Sequence, residues 1–143
     1  MDIFEIIEKV ASIFHEKWRE NRLYKPMLEK SKDDEWTKLH WTDVVDIANT
    51  NFDDLPANWK FENLEAAKVA VCLVYERIVN WDSITSKEFE EMAKIVHEKW
   101  LERNWKEWSF ENQRVEYEEL SDEEKDKDRI QVQIAIQTVK ECI

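Results

Sequence analysis

Apolar positions near the N-terminus recur at steps of three and four: Ile3, Phe4, Ile6, Ile7, Val10, Ala11, Ile13, Phe14 and Trp18. That period belongs to an amphipathic α-helix, and Asp2 is placed to cap its first turn. The same spacing returns at Phe89, Met92, Ala93, Val96 and Trp100, behind the capping box Thr85-Ser86-Lys87-Glu88. From Phe61 a third helix is predicted, with Leu64, Ala67, Val71, Val74, Tyr75 and Ile78 on one face and Pro56 suited to its start. The C-terminal stretch is ambiguous by period alone. Ile130, Val132, Ile134 and Ile136 alternate with glutamines as a half-buried strand would, yet Val132, Ala135, Ile136, Val139 and Ile143 fit a helix.

An internal repeat resolves the ambiguity. Ile13-Phe14-His15-Glu16-Lys17-Trp18 returns as Ile95-Val96-His97-Glu98-Lys99-Trp100, 82 positions later. Phe52-Asp53-Asp54-Leu55-Pro56 returns as Tyr117-Glu118-Glu119-Leu120-Ser121, 65 positions later. At that second offset Ala135 aligns with Ala70 and Val139 with Val74, and Ser121-Asp122-Glu123-Glu124 reads as another capping box, so the last segment is taken as helix. The first copy is the longer one, with 34 positions from Trp18 to Phe52 against 17 from Trp100 to Tyr117. This places an insertion at about residues 23–50. Pro26 and Lys30–Asp34 look like loop there, and Thr42–Ile47 fits a short helix or an extended piece equally well.

Composition then removes whole classes of chemistry. The 143 residues contain no glycine, which excludes Gly-rich phosphate loops, dinucleotide fingerprints and nucleophile elbows. A formal net charge of −12 disfavours direct capture of phosphates by a basic surface, and no direct nucleic-acid binding is expected. The apolar N-terminal run is broken by Glu5, Glu8, Lys9 and Ser12, so it neither spans a membrane nor makes a secretory signal, and the chain reads as cytoplasmic. Cys72 and Cys142 are expected to be buried free thiols.

His15 and His97 each precede a Trp by three residues, so imidazole and indole share a helix face. Adjacent helical residues diverge by about 100°, so neither His-Glu pair makes a ready acid–base dyad. A structural role is expected instead, each His donating to a loop carbonyl and packing under its Trp. A zincin needs a second His four residues on, but positions 19 and 101 are Arg and Leu, and no metal site is expected. Lys125, Asp128 and Arg129 lie at helical spacing, read either as a solvated first turn with Asp128 an exposed acid, or with Arg129 reaching a pocket where its guanidinium holds a phosphate or carboxylate. Trp18, Trp59 and Trp100 fall on apolar faces and are expected in the core; Trp36, Trp41, Trp105 and Trp108 sit between helices. Loop aromatics either cap the core or form a stacking or hot-spot surface. The acidic stretch Glu116–Asp128 reads as a solvated helix start, with mimicry of nucleic-acid charge a weaker possibility.

In the second half, His97-Glu98-x-Trp100, an aromatic loop, and then Tyr117-x-Glu119-Leu120-Ser121-x-x-x-Lys125-x-x-Asp128-Arg129 resemble the ryanodine-receptor repeat (RyR) domain. The first half keeps His15-Glu16-x-Trp18 and Asp54-Leu55-Pro56-x-x-x-Lys60-x-x-Asn63, but has Leu64 where the family has Arg; the family's loop glycine is also missing. The resemblance implies tandem, mostly helical repeats about an approximate two-fold axis, a binding module and not an enzyme, and in free-standing bacterial or phage copies a proposed sensing of nucleotide-type ligands. It places Trp105 and Trp108 in the aromatic loop.

The expected protein is therefore all-α, with two helical-pair repeats packed about a pseudo-two-fold axis. The first repeat covers 1–79, including the insertion, and the second covers 80–143, together one compact domain. His15, Trp18, Trp100, Leu55 and Leu120 are its structural determinants. The expected function is protein–protein interaction, with homodimerisation among the possibilities. The alternative is a sensor of a nucleotide or small anion between the repeats, using Trp105, Trp108, Lys125, Arg129 and His97. No cofactor is expected.

Overall fold

The computed structural model describes residues 1–104 and 115–143. Among these, five helices carry the chain: α1 (Ile3–Asn21), α2 (Asp34–His40), α3 (Ala57–Val79), α4 (Ser86–Asn104) and α5 (Asp122–Cys142). Two short strands, β1 (Leu28–Lys30) and β2 (Val44–Asp46), pair antiparallel in the insertion. The helices start where their caps dictate. Asp2 Oδ1 accepts from the Glu5 amide at 2.9 Å, and Ser121 Oγ from the Glu124 amide at 3.2 Å. Thr85 and Glu88 cap each other's amides reciprocally, and Glu88 also takes Arg77 from the end of α3. Paired with Arg77 and bonded to Thr85, the Glu88 carboxyl is held down at about 2.

α3 and α5 pack on each other, and α1 and α4 each pack on both. The α3–α5 seam is built from small and β-branched residues, Ala67, Ala70, Val71 and Val74 facing Val132, Ala135 and Val139, all fully buried. Small side chains let two backbones approach closely, and each buried Val contributes about 1.5–3 kcal/mol. α1 adds Ile6, Val10 and Ala11; α4 adds Met92, Ala93 and Val96. The C-terminal segment is helical, its buried positions Asp128, Val132, Ala135, Thr138 and Val139 following the three–four period and not the two-residue alternation.

The insertion departs most from expectation. It holds a two-stranded sheet and a two-turn helix, and Thr42–Ile47 resolves into β2 followed by a 3₁₀ turn (Ile47–Asn49). Two aspartates organise it. Asp46 Oδ1 accepts the Met27 and Ala48 amides; Asp33 caps α2 through the Trp36 amide and accepts the Ala57 amide at the head of α3. Multiple amide donors hold both carboxyls below the usual carboxylate range. Among the described residues Trp36 is the tryptophan that is buried, its indole Nε1 donating to the Asp54 carbonyl at 2.6 Å. Trp18, Trp59 and Trp100, expected in the core, are only half-buried, because each indole lies on the flank of its helix and not on the seam-facing stripe. Cys72 is exposed and Cys142 half-buried, correcting the expectation of buried thiols; Cys72 sits one step round the helix from the buried Val71.

Candidate functional site

The two signature histidines have matching surroundings. His15 Nε2 donates to the Thr50 carbonyl at 2.7 Å, and His97 Nε2 to the Val115 carbonyl at 2.6 Å. Each imidazole stacks on its own indole, His15 on Trp18 at 5.8 Å and His97 on Trp100 at 6.1 Å between ring centres. Each also leans on the aromatic residue of a following 3₁₀ turn: Phe52 of Phe52–Asp54 for His15, Tyr117 of Tyr117–Glu119 for His97. Lys60 lies over Phe52 and Lys125 over Tyr117. Leu55 and Leu120 are buried beneath these turns.

The surroundings differ where the sequences differ. Asp128 Oδ2 stands 3.5 Å from His97 Nδ1, with both side chains buried; the position aligned with Asp128 is Asn63, and among the described residues it makes no bond to His15. The expectation that Asp128 is an exposed acid is thereby corrected: α5 turns it inward against α4. Burial works against a charged His97, yet the Asp128 carboxylate and the Val115 carbonyl outweigh it and hold the imidazole above its ordinary value. Burial likewise lifts Asp128. His15, buried without a carboxylate on its second nitrogen and near Arg19, is pushed down.

Arg129 does not reach a pocket. Its guanidinium is held by Glu90 (Nε to Oε1, 2.7 Å) and Asp126 (2.8 Å), tying α5 to α4, and Tyr117 donates to the same Glu90 at 2.8 Å. Lys125 is occupied over Tyr117. Trp105 and Trp108 lie outside the described residues.

A groove of about 580 Å³ opens elsewhere, between α1 and α5, with the end of α4 at its back. Trp18 and Trp100 both line it, His97, Asp128 and Leu120 lie along it, and Lys17, Arg22 and Lys127 border it beside Glu124. Arg22 lies over the Trp18 ring and donates through Nε to the Lys25 carbonyl, which fixes its direction. Gln131 presents a buried amide oxygen with no hydrogen-bond partner among the described residues. The aligned position on the other side of the molecule is bridged by an ion pair. There Arg103 of α4 grips Glu62 of α3 through Nε and a terminal nitrogen, at 2.9 Å for the shorter contact. The residues aligned with that latch are Asn21 and Lys127, which cannot close the same bond. The repeat offsets contain this difference; reading it needs to know that positions 62 and 103 touch.

A second, larger groove of about 1330 Å³ lies among the ends of α3 and α5 and the start of α4, walled by Ile78, Trp81, Ile84, Phe89, Ile136 and Ile143. Trp81 was not singled out in the sequence. It is 92% exposed, and Trp41 is 94% exposed. Both terminate helices in the left-handed region, at φ 61° and 57°. Glycine is at home there, whereas another residue costs ~1–2 kcal/mol.

Among the described residues no His, Cys, Asp and Glu cluster able to hold a metal occurs, and no helix is long and apolar enough to cross a membrane. Compared with known families, curated proteins and solved structures, the chain matches none.

Proposed function

We propose that the chain is a pair of diverged helical-pair repeats of ryanodine-receptor-repeat type, acting as a non-catalytic module that binds a planar, anionic, nucleotide-like ligand in the α1–α5 groove. The repeat reading is supported by the matched His–carbonyl, His–Trp and Lys–aromatic contacts at offsets 82 and 65. The observation that carries the ligand reading is the convergence of both signature tryptophans with Lys17, Arg22 and Lys127 on one groove. At about 580 Å³ it has the size of a small-molecule site. The two indoles border the space a base would fill, the cations stand at its rim for a phosphate, and the Gln131 amide oxygen takes an exocyclic amino donor. Arg129, engaged by Glu90 and Asp126, is not part of this site.

Thermal shift with millimolar adenosine mono- and triphosphate tests it. Occupancy at a hundred times Kd stabilises by ~2.7 kcal/mol, and Arg22→Ala with Lys127→Glu is expected to remove the shift. No shift in the unsubstituted chain at millimolar nucleotide overturns the ligand reading.

A protein partner is the second reading, and the two exposed indoles favour it. Trp41 and Trp81 hold backbone positions that suit glycine while leaving their rings in solvent, so neither is there for stability. Trp41→Gly and Trp81→Gly are each expected to raise stability by about 0.5–1 kcal/mol, read from the denaturant midpoint. Loss of stability in both would show the indoles to be structural.

A further inference from the structure

The two histidines differ in the second ring nitrogen, and that difference reaches the groove. A carbonyl only accepts, so His97 Nε2 carries a hydrogen for Val115. Its Nδ1 then faces the Asp128 carboxylate, 3.5 Å away, where both side chains are nearly inaccessible to water. Two acceptors face each other unless a proton lies between them. Imidazolium with carboxylate, or imidazole with carboxylic acid, satisfies the pair; imidazole with carboxylate leaves a lone pair against a buried anion.

We propose that His97 and Asp128 form a one-proton clamp between α4 and α5, closing the back of the α1–α5 groove while the proton is held and loosening it when the proton leaves at alkaline pH. The clamp names a regulator of the groove, and it rests on the ligand reading only in taking that groove as the binding site. The ionic surroundings are mixed. α4 contributes Glu98; α5 brings Glu124 and Lys127 beside Asp128; Lys125 lies over Tyr117 on the 3₁₀ turn; α1 faces the groove with Lys17 and Arg22. Among the described residues no other side chain is bonded to His97 Nδ1 or to the Asp128 carboxylate.

The direction of the pH effect follows from both partners. A His whose folded value is raised stabilises fully below its unfolded 6.5 and loses that contribution as pH climbs through the folded value. Asp128, raised from 3.8 mainly by burial, acts in the same sense: the folded pair holds more protons than the unfolded chain. His15 acts oppositely. Its lowered value means stability is lost as pH falls below 6.5, so the unsubstituted chain blends the two effects and substitutions must separate them.

The test is an NMR titration of the imidazole nitrogens in the full chain from pH 5 to 9, without ligand, with thermal unfolding at each pH. His97 is expected to titrate above 6.5 and His15 below. Asp128→Asn is expected to pull the His97 titration down, and to be less stable than the unsubstituted chain at pH 5 but equal or better at pH 9. Asn63→Asp places a carboxylate at the aligned position of the first repeat, and is expected to carry the His15 titration upward. His97 titrating at or below 6.5, or the same Tm difference between Asp128→Asn and the unsubstituted chain at both pH extremes, overturns the clamp. Should Asp128→Asn not fold, Asn63→Asp decides: an unmoved His15 overturns it. No nucleotide is present, so a failed clamp leaves the ligand reading intact, and a failed nucleotide shift leaves the clamp intact.

Discussion

Val132→Asp is expected to leave no cooperatively folded protein at 25 °C. Val132 has zero exposure at the middle of the α3–α5 seam, among Ala67, Ala70 and Val71 of α3 and Ala135 of α5. No basic residue belongs to that buried set, and the nearest buried charge on the same stripe is the Asp128 carboxyl one turn earlier, so the new carboxylate has no cation to pair with. An unpaired buried charge costs several kcal/mol even after it takes up a proton, and the lost Val adds its own ~1.5–3 kcal/mol. A domain of this size holds about 5–15 kcal/mol in total. Gln133→Asp, one residue further on an exposed position of the same helix, is the matched control and should change stability by no more than about 0.5 kcal/mol. Far-UV circular dichroism against temperature reads both. A cooperative melt of Val132→Asp within a few degrees of the unsubstituted chain would mean that the seam is misplaced.

The seam was legible in the sequence because it depends on period alone. The four long helices follow from three- and four-residue spacing, and the 65-residue offset carries α3's buried Ala70 and Val74 onto Ala135 and Val139 of α5, overriding the strand-like alternation at 130–136. What escaped depends on contacts between distant positions. Asp128 lies within an acid-rich stretch, and only the approach of α4 shows that one acid of that stretch turns inward to His97. The groove escaped for the same reason: it exists because Asn21 and Lys127 stand where Arg103 and Glu62 latch the other side. Arg129, expected to reach a pocket for a phosphate or carboxylate, is instead held by Glu90 and Asp126 of the chain itself. In each case residue chemistry was readable and the partner was not.

These contacts also separate the roles of the two helix pairs. The α3–α4 face is bridged by the Arg103–Glu62 ion pair, whereas the α1–α5 face carries a groove bordered by Lys17, Arg22 and Lys127, of which Lys17 pairs with Glu20 and Lys127 with Glu124, with the His97–Asp128 pair along it. The two faces differ at the positions aligned by the offsets 82 and 65, with Asn21 against Arg103 and Lys127 against Glu62. His97 itself faces two partners within the fold, the Val115 carbonyl at Nε2 and the Asp128 carboxylate 3.5 Å from Nδ1.

Trp36→Ala is expected to destabilise by about 3–5 kcal/mol and to free the insertion before the rest of the chain unfolds. The indole joins three things at once. It is buried at 8% exposure, it donates to the Asp54 carbonyl just ahead of α3, and it stacks on His40 at 4.0 Å between ring centres. The remaining ties between the insertion and the helices are the smaller buried side chains Val45, Ile47 and Ala48 and individual hydrogen bonds, such as Asp33 to the Ala57 amide and the Trp59 indole to the Lys30 carbonyl. Each such bond contributes only about 0.5–1.5 kcal/mol, and Trp36 is the largest apolar anchor of the strand–helix–strand unit, so its loss weakens the insertion more than the four-helix core. Trp36→Phe keeps most of the bulk, loses the bond to Asp54, and should cost roughly half as much. Limited proteolysis separates local from global loss: cleavage within residues 23–50 at a temperature where circular dichroism still reports the long helices is the expected outcome. Cleavage spread along the chain at the global transition alone would show that the insertion and the helical bundle unfold as one unit, and that Trp36 stabilises both together.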